Sequence, residues 1–190
     1  GRFTTVGHHI VDPSGNKFIP IGANVTSAPY PPAPSWSWWT TNQKFANGKS
    51  DDALAWGWNF VRISVSTGGQ PDVTLRQQLD GVYQLIDEYT AKGIVVTASL
   101  WEFMGKNPTW EQVAASPYVL LLKDEMVARY KDNPYVWLNP LNEPYTWEYG
   151  SNWAAVGTKL YERARSQGWN GVFVWELPSY GQYIEAAATT

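Results

Sequence analysis

The stretch Tyr135-Val136-Trp137-Leu138-Asn139-Pro140-Leu141-Asn142-Glu143-Pro144 decides how the chain is read. Tyr135 to Leu138 is an apolar run that reads as a buried strand. Asn142-Glu143-Pro144 then places an amide, a carboxylate and a rigid proline at its C-terminal mouth. Burying a carboxylate is costly unless it is paired or hydrogen-bonded. Folding alone gives little reason for Glu143 at this point; a residue that moves protons would need such a place.

Outward from this stretch, one unit repeats: helix, glycine, apolar strand. Ser50 can cap a short helix ending near Trp56-Gly57, before a strand from Asn59 to Val65. Leu75, Leu79, Val82, Ile86 and Tyr89 share one face at helical spacing. Gly93 stops that helix, and Ile94 to Ala98 follows as a strand. Ser116-Pro117 opens a third helix, with proline at its first position, that runs through Leu121, Met126 and Tyr130 to the turn Asp132-Asn133-Pro134. Ser151 opens a fourth that ends at Gln167-Gly168, and Val172 to Trp175 is the next strand.

Apolar strands alternating with amphipathic helices mean parallel strands covered by helices. The first strand is read as Phe18 to Gly22, after a hairpin through His9-Ile10-Val11 and the turn Asp12-Pro13-Ser14-Gly15. The expected fold is α/β: about five parallel βα units with an N-terminal β-hairpin, part of a (β/α)8 TIM-type barrel, in one incomplete domain over residues 1–190. In such folds chemistry sits on the loops after the strands.

Composition narrows the partners. The chain has 190 residues, 44% hydrophobic and 16% charged, with a net charge of −3. That balance gives no electrostatic case for nucleic acid or an anionic membrane, and no apolar run is long enough to span a bilayer. There is no cysteine, which excludes disulfides and thiolate metal sites. His8 and His9 are adjacent rather than at ligand spacing, so neither metal nor cofactor is expected. The chain starts at Gly1, and a removed upstream segment such as a signal peptide is expected.

The outlier is aromatic content, with 12 Trp and 11 Tyr. Indole faces stack on the CH faces of sugars, although most such rings in a domain are core. The loop from Thr26 to Lys49 holds three of its prolines close together and Trp36, Trp38 and Trp39. It reads either as a sugar platform or as a lid packed on the barrel top. Asn24-Val25-Thr26 matches a glycosylation sequon but lies at a strand exit.

Five segments occur in order at the strand ends: Gly22-Ala23-Asn24, Val61-Arg62-Ile63, Trp101-Glu102-Phe103-Met104-Gly105-Lys106, Asn142-Glu143-Pro144 and Ser179-Tyr180-Gly181-Gln182. This set resembles the clan A glycoside hydrolases of family 5, of the bacterial β-mannanase and cellulase type. The resemblance implies retaining hydrolysis of a β-1,4-linked polysaccharide, mannan or cellulose, by a secreted enzyme. Glu143 would be the acid/base, Asn142 would bond the sugar 2-hydroxyl, and Arg62 would orient the carboxylates. Trp38, Trp39, Trp101 and Glu102 would contact substrate, as would Tyr145, Trp147 and Tyr180. Trp101 stands where the family usually has a histidine, so stacking replaces any proton relay.

The family's later strands, with the nucleophilic glutamate, have no counterpart in the sequence. Retention needs a second carboxylate about 5–5.5 Å from the first and inversion one about 6.5–9.5 Å away. Glu102 and Glu176 are the candidates on the flanking strands, with Glu176 the better placed. It reads either as a catalytic carboxylate or as a partner of Arg62 and loop backbone. Open sheet edges would need a cover, either a second copy or a companion fragment. Two functional readings follow: a glycan hydrolase completed by self-association or a partner segment, or a carbohydrate-binding half-barrel without a nucleophile. A phosphate-binding α/β protein is disfavoured, since no glycine-rich phosphate loop follows a strand.

Overall fold

The computed structural model describes residues 1–26, 49–65, 75–146 and 150–184. The Thr26 to Lys49 loop, with Trp38 and Trp39, lies almost wholly outside the described residues, as does Trp147.

Two sheets form. Strands β1 (Thr4–Val6), β2 (His9–Val11) and β3 (Lys17–Phe18) make an antiparallel sheet in the order β1-β2-β3. The expected hairpin is β2-β3, with Ile10 opposite Phe18. Its turn is fixed by Asp12, whose Oδ1 accepts from the Ser14 and Asn16 amides at 2.8 and 2.9 Å. The second sheet is parallel, with β4 (Gly22–Thr26), β5 (Phe60–Val65), β6 (Val95–Leu100) and β7 (Val136–Leu141) side by side in chain order. Each crossover that the described residues cover carries helix: α1 (Lys49–Ala55) before β5, α2 (Leu75–Ala91) before β6, and α3 (Trp110–Ala115) with α4 (Val119–Tyr130) before β7. Helix α5 (Asn152–Ser166) follows β7. This is part of a β/α barrel.

The helical face drawn from the sequence is the buried one: Leu79, Val82, Ile86 and Tyr89 are at most 1% exposed. They pack with Val61, Ile63 and Val96 in the main core. A smaller cluster of Phe3, Val95 and Trp137 joins the antiparallel sheet to the starts of the parallel strands. There Phe3 meets Trp137 edge to face at 5.5 Å, a geometry aromatic quadrupoles favour. The antiparallel sheet therefore plugs the N-terminal end of the parallel one and leaves the C-terminal end for chemistry. Among the described residues no helix is long and apolar enough to cross a membrane.

Four local readings are corrected. The first parallel strand is Gly22–Thr26, not Phe18 to Gly22. Pro20 interrupts the earlier run and has no N–H for a ladder, while Ile19 and Ile21 are more than half exposed. Ser50 lies inside α1 rather than at its cap. Its buried hydroxyl donates to Glu88 on α2 and accepts from Lys92. Helix α4 begins at Val119, two residues after Pro117, and the Ser116 hydroxyl accepts from the Tyr118 and Val119 amides at 3.1 and 3.2 Å.

The fourth concerns Val172 to Trp175, which touches the sheet through a single bridge, Phe173 beside Leu138. The Leu138 amide donates to the Val172 carbonyl at 3.1 Å and the Val174 amide to the Leu138 carbonyl at 2.7 Å. The next rung would need an amide on residue 140, which is proline. The side-chain amide of Asn139 donates to the Val174 carbonyl at 3.3 Å instead. Across the other side of β7, Ala98 pairs with Leu138 but Leu100 with Leu141, so β7 carries one extra residue there. Such bulges commonly redirect side chains beside active sites.

Candidate active site

Arg62 is the hub. It leaves the middle of β5, where Asn24 and Thr97 flank it on the neighbouring strands. Its guanidinium spreads across the sheet as a planar fork of donors. Nε donates to Asn139 Oδ1 at 3.1 Å. Nη2 donates to Asn142 Oδ1 at 2.7 Å and to the Ser99 hydroxyl at 3.0 Å, and it also bonds a carboxylate oxygen of Glu176. Nη1 reaches Asn24 Oδ1 at 3.5 Å. One cation therefore joins β4, β5, β6, β7 and the segment after α5. The sequon residue Asn24 points into this network.

Buried polar groups need partners in proportion to their burial, and this network supplies them. Asn142 is 3% and Asn139 1% exposed. With Asn142 Oδ1 engaged by Arg62, its Nδ2 turns towards Glu143, 3.5 Å from Oε2. Asn139 and Ser99 were not singled out in the sequence. An asparagine within the apolar run Trp137 to Leu141 is the signal that could have marked the first.

Glu143 stands just past the end of β7 in a left-handed conformation, φ 44°. Its amide donates to Glu176 Oε2 at 2.7 Å, and its carbonyl accepts from the Gly105 amide at 2.8 Å. Thus Arg62, Asn142, Glu143 and Glu176 are brought together at the C-terminal end of the sheet. Both oxygens of Glu176 are engaged, one by Arg62 and one by the Glu143 amide.

The expected substrate contacts separate into groups. Trp101 is fixed at the exit of β6, its amide bonded to the Val65 carbonyl at 2.9 Å, and is 38% exposed. Tyr180 is 55% exposed, and its hydroxyl oxygen would lie 3.3 Å from a Cβ built on Gly105. Both expose ring surface. Glu102 turns away to accept from the Ser116 hydroxyl at the start of α4. Tyr145 is 1% exposed, and its hydroxyl donates to the Pro108 carbonyl at 2.9 Å. It supports the floor, and burial pushes its hydroxyl well above the usual range.

The parallel strand set is part of a β/α barrel, and the Arg62 guanidinium gathers Asn142 and Glu176 beside Glu143 at its C-terminal side. A family model described as cellulase, glycosyl hydrolase family 5, matches residues 11–190. The chain belongs to glycosyl hydrolase family 5.

Solved structures share the fold. The catalytic domain of a mannanase from Streptomyces sp. SirexAA-E superposes with a TM-score of 0.68 at 21% identity, over 97% of this chain and 54% of its own. A β-mannanase from Streptomyces thermolilacinus, solved with mannohexaose, gives 0.68 at 20%, over 97% and 56%. The alkaline cellulase K catalytic domain gives 0.66 at 17%, over 100% and 54%. The chain thus spans a little over half the length of these structures. No curated protein matches it in sequence.

Proposed function

We propose that the chain carries the acid/base half of a retaining endo-β-1,4-glycan hydrolase acting on mannan or cellulose. The observation that supports this most is the Arg62 network, which sets Asn142 and Glu143 at the mouth of the sheet. Glu143 protonates the glycosidic oxygen and later takes a proton from water. Arg62 holds Oδ1 of Asn142, so the Asn142 NH2 is the donor left for the sugar 2-hydroxyl, a contact that strengthens in the transition state. Trp101 and Tyr180 offer exposed rings to the sugar faces. Polysaccharides of this kind are outside cells, so the protein is read as secreted.

The mannanase solved with mannohexaose supports a β-linked glycan as partner. The nucleophile is read as supplied from outside these 190 residues. The engagement of both Glu176 oxygens favours this over recruitment of Glu176. The same observation favours a second reading for the chain alone: carbohydrate binding without turnover.

Reducing-sugar release from mannan and carboxymethylcellulose tests the first reading, with Glu143→Gln as control. Turnover lost in Glu143→Gln supports it. Calorimetric binding of mannohexaose without turnover supports the second, and neither binding nor turnover removes both. Sedimentation of the active sample tells self-association from a requirement for a partner.

A further inference from the structure

Glu143 pays for its position in backbone strain. A non-glycine residue in the left-handed region is strained and persists only when its surroundings enforce it. Here the enforcement comes from both sides of the residue. The Gly105 amide holds the Glu143 carbonyl, and a carboxylate oxygen of Glu176 holds the Glu143 amide. Charge-assisted hydrogen bonds of the second kind are the stronger ones.

Glu176 is itself anchored. Its other oxygen meets Arg62, its backbone carbonyl accepts from the Trp153 indole on α5 at 2.8 Å, and its side chain is 19% exposed. A carboxylate tied in this way reaches the reaction through its neighbour's backbone. We propose that Glu176 is a positioning residue that locks Glu143 in its left-handed conformation and couples it to Arg62, and is not the second reacting carboxylate. Without that acceptor, Glu143 relaxes towards the right-handed region and its carboxyl leaves the mouth of the sheet. The catalytic consequence rests on the acid/base reading of Glu143; the backbone lock does not.

The test pairs amide hydrogen exchange at Glu143, read by NMR on the full chain, with steady-state kinetics. Glu176→Ala removes the acceptor, and Glu176→Met removes it at nearly constant volume should the alanine variant fold poorly. The Glu143 amide is expected to be protected in the wild type and to exchange about tenfold faster or more in the variants. The kcat is expected to fall about 100-fold, as for a displaced catalytic group, with KM within about threefold. Added azide should not restore turnover.

An unprotected wild-type amide, or unchanged exchange in the folded variants, overturns the proposal. So does azide rescue with a glycosyl azide product, which would make Glu176 the reacting carboxylate. If the wild type shows no turnover, the acid/base reading of the isolated chain fails, and exchange alone decides the backbone lock.

Discussion

Nη2 of Arg62 lies 2.7 Å from Oδ1 of Asn142, while Nε of the same side chain lies 3.1 Å from Oδ1 of Asn139. The guanidinium thereby fixes two amides of β7 and its exit at once. A lysine is a point charge on a flexible stem and cannot reproduce the fork. Arg62→Lys is expected to lower kcat/KM on a β-1,4-glycan by about 10²–10³-fold, the usual loss for one preorganised donor. Steady-state kinetics on the variant checks it; a loss below tenfold would mean that charge alone suffices.

Trp101 is the exposed ring at the exit of β6, and Trp137, Trp153 and Trp169 are buried. Trp101→Ala is therefore expected to leave the melting temperature nearly unchanged and to weaken mannohexaose binding about 3–10-fold, a stacking contact's worth. Calorimetry and thermal unfolding read the two effects. A large drop in melting temperature with unchanged affinity would assign Trp101 to packing.

Away from the site, α4 and α5 are joined by a charged cluster. The fully buried Lys123 ammonium lies 2.5 Å from Asp124, and Arg163 donates to Asp124 at 2.6 and 3.1 Å. Burial alone would raise the Asp124 carboxyl, but Arg163 and Lys123 outweigh it and bring it down to about 2. Its folded value is depressed, so its stabilisation is present above the ordinary carboxylate value and is lost as pH falls from about 4 to about 2. The loss expected is about 1–2 kcal/mol after allowance for partial exposure. Glu125, held low chiefly by Arg76, adds to the same acid limb. Urea unfolding across this range, repeated on Asp124→Asn, checks it: the variant should be less stable at neutral pH and lose less on acidification.

The parts of this chemistry legible in the sequence are those that sit where strands end. Glu143 was readable because a carboxylate after an apolar run violates the burial pattern, whereas Asn142 and Arg62 gained their roles from the resemblance of the ordered segments. Glu176 was readable as a partner of Arg62, and the structure shows that pairing. The left-handed turn at Glu143 was not legible, because it arises from Glu176 and Gly105, distant in sequence. Helix α3 was missed although Thr109-Trp110-Glu111-Gln112 forms a capping box, the Gln112 side chain accepting from the Thr109 amide at 2.8 Å. Apolarity alone points to Phe18 to Gly22 as the first parallel strand, but Pro20 breaks that run and the strand starts at Gly22. At Gly22 a Cβ would sit 1.7 Å from the Phe60 carbonyl oxygen, so this glycine permits the close approach of β4 to β5 and marks the true start.

Gly157 gives the last prediction, because it links helix packing to the site. It lies on the buried face of α5, and a Cβ there would come within 2.5 Å of Nε1 and 2.7 Å of Cε2 of Trp175. The indole therefore rests on bare helix backbone, one residue before Glu176. The same helix holds the Glu176 carbonyl through Trp153. Two forces act on Gly157→Ala. Helix propensity favours alanine by about 1 kcal/mol, and overpacking against a rigid ring costs about 1–3 kcal/mol. A bicyclic indole wedged between α5 and the sheet cannot swing aside like a flexible chain end, so overpacking wins. The variant is expected to melt lower than the wild type, and the displaced Trp175 should shift the segment that carries Glu176, lowering turnover as well. Thermal unfolding and kinetics on one preparation check both. A higher melting temperature, as for a glycine on an exposed helix face, would show that the indole moves freely and that α5 does not brace the site.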